Sequence, residues 1–327
     1  MIRMTPFDIP HHRLYNHHLS QTTLGTPAEA VDWLVAVQAQ DFAGAKWALG
    51  RRLNGAVEDE MEQAFTGGVI LRTHLLRPTW HFVTPADIRW LLALTAPRVH
   101  TANAHMYRRL ELDETIFTRS EATMVKALQG GNQMTRDELR IVLEQAGITT
   151  EGVLRMAYLM MHAELEGVVC SGPRHGKQFT YMLLDERVPP SRTMEPEEAL
   201  VELTRRYFMS RGPATVQDFA KWSGLTLTEC RHGLEAVETR LEQEGMNGQT
   251  YYLPASAPAG VASPKAYLLS IYDEYISGYK DHSPIGGATY GAQLAALGNA
   301  LSYILLVDGQ IAGSCGARSR NAKWWSK

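Results

Sequence analysis

Apolar positions along the chain recur mostly at helical spacing, and the polar residues that open each run are those that cap helices. Thr26-Pro27-Ala28-Glu29 puts a hydroxyl at the N-cap, proline at the first helical position and a carboxylate at the third. That pattern satisfies two otherwise free backbone N–H groups reciprocally. The same arrangement recurs at Thr135 to Glu138 and Thr226 to Glu229, and weaker forms with aspartate open segments at Thr84 and Thr215. Helix is therefore the dominant predicted element.

The elements fall into three blocks of short helices followed by a β-hairpin. The first has helices over 27–37, 45–53 and 57–65, then a strand-rich run over 69–83 with Arg77-Pro78 at its turn. The second has helices over 136–146 and 150–166, a strand at 168–170, a turn through Gly172-Pro173-Arg174-His175-Gly176 and a return strand at 179–184. The third has helices over 216–222 and 227–242 and a hairpin turning at Asn247-Gly248. Helix, helix, hairpin is the winged-helix plan, a helix-turn-helix variant. After Pro264 the pattern becomes β, at 266–270 and 303–307 with a turn at Asp308-Gly309. The predicted fold is mostly α (α+β), with three tandem winged helices and a β-rich C-terminal subdomain. The linkers place boundaries at 1–130, 131–190, 191–255 and 256–327.

Composition changes this picture little. At 327 residues, 45% of them apolar and 20% charged, the chain has the make-up of a folded protein with a sizeable core. No stretch reaches the ~20 apolar residues of a membrane span, and Met1 to Pro6 lacks the apolar core of a signal peptide. Cys170, Cys230 and Cys315 have neither zinc spacing nor an even count. A cytoplasmic location, at the nucleoid, is expected. The net charge of −3 argues against nucleic acid on average, but residues 66–110 hold six arginines and four histidines against the single acid Asp87. Such a local basic face is compatible with DNA, and equally with a solvated arginine-rich surface.

Phosphate-binding loops, dinucleotide fingerprints, zinc-protease helices and serine-hydrolase elbows are absent from the sequence. His11-His12 and His17-His18 lack a third ligand at helical spacing, so no metal is expected. Gln38 is more informative, because it continues the apolar stripe of Val31, Leu34 and Val35. A glutamine there is buried or half-buried and needs partners for its amide. On geometry alone this fits a satisfied core glutamine better than a site residue. Positions 38 and 40 share a face on an extended segment but lie about 200° apart on a helix. Both amides serve one site only if the helix ends or opens between Val37 and Gln40.

Three separated motifs then carry a resemblance. The run from Val37-Gln38-Ala39-Gln40-Asp41 to Arg51-Arg52-Leu53, the segment Leu71 to Val83, and Tyr272-Asp273-Glu274-Tyr275-Ile276-Ser277-Gly278-Tyr279-Lys280-Asp281 resemble the core of the AlkZ/YcaQ family of winged-helix DNA glycosylases. Gly212-Pro213-Ala214-Thr215 and Trp222-Ser223-Gly224-Leu225 fit the same pattern, so the likeness spans 10 to about 313. It implies a C-shaped scaffold that embraces DNA, monofunctional excision of N-alkylated purines, and unhooking of interstrand crosslinks. It implies no cofactor, and a monomer acting on double-stranded DNA with alkylated bases.

The resemblance assigns catalysis to Gln38 and Gln40, which match a motif of glutamine, aliphatic residue and glutamine; Ala39 is a small middle residue, and Asp41 lies one position too far to replace Gln40. DNA contacts are expected from Arg52, Arg72, His74, Arg77, His81, Tyr279 and Lys280. Trp80 and Phe82 are expected to face the core, with His81 outward. Lys280 is read as a DNA contact or structural cation and not as a Schiff-base nucleophile. A winged-helix regulator and a protein-interaction scaffold remain as alternatives; the helix over 150–166, with Arg155 and His162 against Glu151, Glu164 and Glu166, is a poor recognition helix for the former. The tail from Ser314 to Lys327 departs from the family pattern. Its Lys-Trp-Trp-Ser reads as a frameshifted β strand, which leaves the C-terminal β unit incomplete after 313.

Overall fold

A computed structural model describes residues 8–55, 58–152, 154–190, 193–255, 265–286 and 302–316. The first stretch runs α1 (Asp8–Asn16), α2 (Pro27–Leu34), β1 (Val37–Gln38), α3 (Phe42–Gly50), α4 (Glu58–Thr66), β2 (Leu71–Leu75) and β3 (Thr79–Val83). The long helix α5 (Ile88–Arg109) follows. Next come α6 (Glu114–Leu128), β4 (Met134–Thr135), α7 (Arg136–Gln145), α8 (Arg155–Leu165), β5 (Val169–Ser171), β6 (Thr180–Leu183) and α9 (Leu184–Arg187). The third block holds α10 (Pro196–Arg211), α11 (Val216–Ser223), α12 (Leu227–Val237), β7 (Leu241–Met246) and β8 (Gln249–Pro254). The chain then forms β9 (Ala266–Leu269), α13 (Glu274–Ser277), β10 (Ser302–Val307) and β11 (Gln310–Gly316).

This is the expected α+β mixture. Most helix starts obey the capping chemistry read from the sequence. Thr84 is the exception, because α5 begins only at Ile88, with Asp87 at its N-cap and no side-chain cap bond, and the Thr84 hydroxyl donates to Asp87 Oδ2 at 3.0 Å instead. Thr135, Thr215 and Thr226 close full capping boxes with Glu138, Asp218 and Glu229. At Thr26 the hydroxyl accepts from the Glu29 N–H, but the Glu29 carboxylate turns back to the Gly25 N–H instead. Asn247 and Gly248 take the positive φ values of 52° and 75° that a tight hairpin turn requires, and Asp308-Gly309 does the same at 50° and 76°.

The chain packs as two compact units, Met1–Met61 with Leu200–Lys327 and Glu62–Ala199, which cut across the four consecutive spans expected from the linkers. The chain-end unit owes its composition to α1, whose Leu14 joins Leu19 in one core with Tyr267, Leu269, Ile304, Leu306 and Ile311 of the antiparallel sheet β11-β10-β9. The same unit holds α11, α12 and the hairpin β7–β8, with Ala214 bridging Tyr252 as a minimal first strand. The central unit contains a complete winged helix: α6, α7 and α8 with the sheet β4-β6-β5, around a core of Phe117, Met124, Leu139, Leu143 and Leu159. Strand β11 runs past Gly313 to Gly316; residues 317–327, the main part of the proposed frameshifted tail, lie outside the described residues. Among the described residues no helix is long and apolar enough to cross a membrane.

Candidate active site and DNA-facing residues

In the chain-end unit, helix α2 stops at Leu34, three residues short of the predicted end. Val35 adopts φ +65°, a rare conformation for a β-branched residue, and the chain is extended by Val37–Gln38 before α3 begins at Phe42. The condition set by the two glutamines is thus met: the segment that carries them has left the helix. Three buried residues, Val35, Ala36 and Val37, hold the strained turn in place. Gln38 itself is 8% exposed, whereas Gln40 is exposed. Asp41 stands at the N-cap position of α3, where its charge suits the positive end of the helix.

What anchors this segment is a carboxylate distant in sequence. Glu274 is fully buried; its Oε1 accepts the Gln38 backbone N–H at 2.8 Å, and its Oε2 accepts Arg211 Nη2 at 2.7 Å and Trp222 Nε1 at 2.8 Å. Arg211 Nη2 also donates to the Ala36 carbonyl at 3.1 Å. Next to it, Asp273 receives both Nη groups of Arg52 at 2.9 and 2.7 Å, and its Oδ1 accepts the Tyr275 N–H at the start of α13. Neither Asp273, Glu274 nor Arg211 was singled out from the sequence, although the acidic pair lies inside the motif Tyr272 to Asp281.

This network corrects two expected DNA contacts. Arg52 is fully buried and spends its guanidinium on Asp273 and on the Ala48 carbonyl. Tyr279 is equally buried, with its hydroxyl donating to the Arg211 carbonyl at 2.7 Å and its ring under the Arg13 guanidinium at 3.6 Å. Because that hydroxyl proton is used, His17 Nε2 is the donor in its 2.9 Å bond to Tyr279, and Nδ1 presents its lone pair to Arg52 Nη2 at 3.3 Å. His17 is therefore part of the core and not of a metal cluster. Lys280 is exposed, with its backbone N–H fixed by Asp218 Oδ1 at 2.8 Å.

Burial holds the His17 pKa well below its ordinary 6.5, and the positive charges of Arg52, Arg211 and Arg13 push the same way. Below about pH 6.5 the unfolded chain takes up a proton that the folded chain refuses. Stability is thus fully present above pH 6.5 and falls as pH drops toward the folded value. We expect His17→Gln to flatten the decline in unfolding free energy between about pH 7 and pH 5.5, by up to about 1.4 kcal/mol per pH unit. His18 and His282 shift in the same direction, so a residual slope remains. An unchanged pH profile in the variant overturns the assignment.

In the central unit, β2 and β3 pair with Arg72 opposite Phe82 and His74 opposite Trp80, so these four share a face. The turn is Leu76-Arg77-Pro78, as the proline predicted, and Arg77 is half-buried. His81, expected to face outward, is instead fully buried, its Nδ1 donating to the Thr79 carbonyl at 2.9 Å. The alternation argument presumed one solvated face, whereas β2 packs against α5, α8 and β5 and is covered on both sides. His74 is also buried, its Nδ1 against Glu164 Oε2.

Arg72 is 8% exposed and lies between two rings, 4.3 Å from the centre of Trp80 and 4.6 Å from that of Phe179. Desolvation lowers its pKa to about 10, so it stays cationic at neutral pH. It borders a cavity of about 320 Å3 whose lining includes Trp80, Phe179, Arg136 and Lys177. Arg136, Lys177 and Phe179 come from α7 and from the turn before β6, and the sequence reading missed them.

Comparison with known proteins fits this anatomy. A family profile described as "DNA glycosylase AlkZ-like" matches residues 31–323. The chain is 24% identical to an interstrand DNA cross-link repair glycosylase of Streptomyces sahachiroi, over 92% of this chain and 85% of that protein. The solved structure of Streptomyces sahachiroi DNA glycosylase AlkZ superposes with a TM-score of 0.78 at 20% identity, covering 95% of this chain and 87% of that one. With a family match across nearly its whole length, the chain belongs to the AlkZ-like DNA glycosylase family, enzymes that hydrolyse N-glycosyl bonds.

Proposed function

We propose that this protein hydrolyses the N-glycosidic bond of purines alkylated at N7 or N3 in duplex DNA, and that interstrand crosslinks built on such purines are also substrates. The observation that carries the reading is the extended, anchored Gln38 segment: a rare φ at Val35 breaks the helix, and Glu274 fixes the Gln38 backbone at 2.8 Å. The crosslink part is supported by the name of the Streptomyces sahachiroi relative.

The chemistry asks little of the protein. A purine alkylated at N7 or N3 is cationic and departs as a neutral base without a general acid. The oxygen of a water molecule then bonds to the anomeric carbon, which carries oxocarbenium character, and the spare proton passes to solvent. A neutral amide carbonyl orients that water by accepting a hydrogen bond from it, so the gain is mostly positional. Gln38 and Gln40 are the two amides assigned to this task. Undamaged bases, which lack the positive charge, react poorly. The protein acts as a monomer in this reading.

The phosphate backbone is met by exposed Lys280, half-buried Arg77, and the Arg72, Arg136 and Lys177 edge of the aromatic cavity. Cations placed this way release counterions on binding, and each phosphate contact adds about 0.9 to the slope of log affinity against log salt. Arg136→Ala combined with Lys177→Ala is expected to reduce that slope by about 2. A fluorescence-anisotropy salt series that leaves the slope unchanged removes both residues from the interface.

The decisive assay is release of free N7-methylguanine from a duplex, with binding to undamaged duplex measured alongside. Base release that leaves an abasic site, with no borohydride-trapped adduct at Lys280, is the expected result. Tight binding without release identifies a non-catalytic DNA-binding protein instead.

A further inference from the structure

We propose that the central unit carries a divalent transition-metal site, formed by His100 of α5 with His162 and Glu166 at the C-terminal end of α8, and that Zn2+ is its natural occupant. One ligand atom from each residue lies within 4.8 Å of the other two. His162 and Glu166 are four positions apart and therefore lie on the same face of the helix end, while His100 reaches them from the neighbouring helix. The small apolar cluster of Ala96, Val99, Met161 and Leu165 holds α5 and α8 together beside them.

The orientation of both imidazoles is already set. His100 Nδ1 is engaged by the Tyr107 hydroxyl at 2.9 Å, and His162 Nδ1 by Glu121 Oε1 at 2.7 Å. Each ring is thereby left with Nε2 for a metal. The Glu121–His162 contact is the carboxylate–histidine pairing that fixes the tautomer and raises the basicity of a metal-bound imidazole. Stacking on Phe117, at 3.6 Å and 10° between planes, holds the His162 ring further. His100 Nε2 is buried and lies 2.9 Å from Glu166 Oε1. A metal ion held by both groups would replace this direct contact.

Two imidazole nitrogens and one carboxylate oxygen form a borderline donor set that suits Zn2+ over Mg2+ or Ca2+. Bond lengths near 2.0–2.1 Å place tetrahedral donors about 3.3 Å apart, so the widest gap has to close by about 1.5 Å. Glu166, nearly half exposed, has the freedom to move. His100 and Glu166 also border a cavity of about 330 Å3, which gives the ion an entry path and room for a water as fourth ligand. Bound there, the ion ties α5 to α8, with α6 supporting through Glu121.

The test titrates chelator-treated full-length protein with Zn2+ by calorimetry and with Co2+ by visible absorption. About one equivalent, a tetrahedral Co2+ spectrum and a higher unfolding midpoint with Zn2+ are expected. Glu166→Gln, an exposed and structurally mild change, and His100→Gln are each expected to abolish the spectrum. Glu121→Gln, which touches only the supporting shell, is expected to weaken binding about tenfold or more. The proposal is overturned if the parent chain takes up no Zn2+ at micromolar concentrations. It is equally overturned if Glu166→Gln and His100→Gln bind as well as the parent, which would place the ion elsewhere, such as on His11-His12.

Discussion

Replacing Gln38 and Gln40 together with alanine is expected to lower single-turnover release of N7-methylguanine by about 10²-fold or more. Duplex binding and the unfolding midpoint should stay close to those of the parent chain. The separation of effects follows from how the segment is held. Glu274 grips the backbone N–H of Gln38, so the anchor survives loss of the side-chain amide. Ala39, fully buried between the two glutamines, keeps its place in the core. A water-positioning role predicts loss in the chemical step, because an unaligned water is still present but no longer presented to the anomeric carbon. Excision at the parental rate in the double variant sinks the assignment of these amides. A large loss of DNA affinity instead makes them binding residues.

Glu274→Ala is expected to carry a large structural penalty. The change removes the acceptor for three buried donors at once: the Gln38 N–H, Arg211 Nη2 and Trp222 Nε1. It also leaves the Arg211 charge without its buried partner. Breaking a buried ion pair from one side costs about 3–5 kcal/mol, which for a protein of this size lowers the unfolding midpoint by roughly 4–7 °C. Excision falls as well, since the segment bearing Gln38 loses its anchor. Arg211→Met combined with Glu274→Met is expected to cost less than the sum of the two single changes, because neither charge is then left alone. A midpoint within about 2 °C of the parent for Glu274→Ala would falsify the hub.

The element pattern was legible because its causes are local. A hydroxyl three residues before a carboxylate favours a helix start through contacts within one turn, and Thr135, Thr215 and Thr226 cap helices that way here, whereas Thr84 does not. Turn residues that tolerate positive φ placed both Asn247-Gly248 and Asp308-Gly309. Spacing also set a condition, that Gln38 and Gln40 can share a site only if the helix breaks, and α2 does end at Leu34. Residue roles fared differently. Arg51-Arg52 looks like a basic surface pair, yet the partner that takes Arg52 inside lies 221 positions away. His81 was assigned outward by alternation, which fails when helices and a second hairpin cover both faces of a strand. His100, Glu121, His162 and Glu166 carry no motif at all, since only the packing of α5, α6 and α8 brings them together.

The sequence by itself therefore determined most helix starts, the hairpin turns and the order of helices and hairpins along the chain. Those depend on interactions between residues a few positions apart, which one sequence records directly. Only the tertiary structure decided which charges are buried in the core and which stay exposed, how the chain divides into units, and what fixes Gln38 in place. Each of those depends on desolvation and on partners brought from far along the chain. A charged side chain buried without a partner costs several kcal/mol, whereas one that finds its partner becomes part of the scaffold.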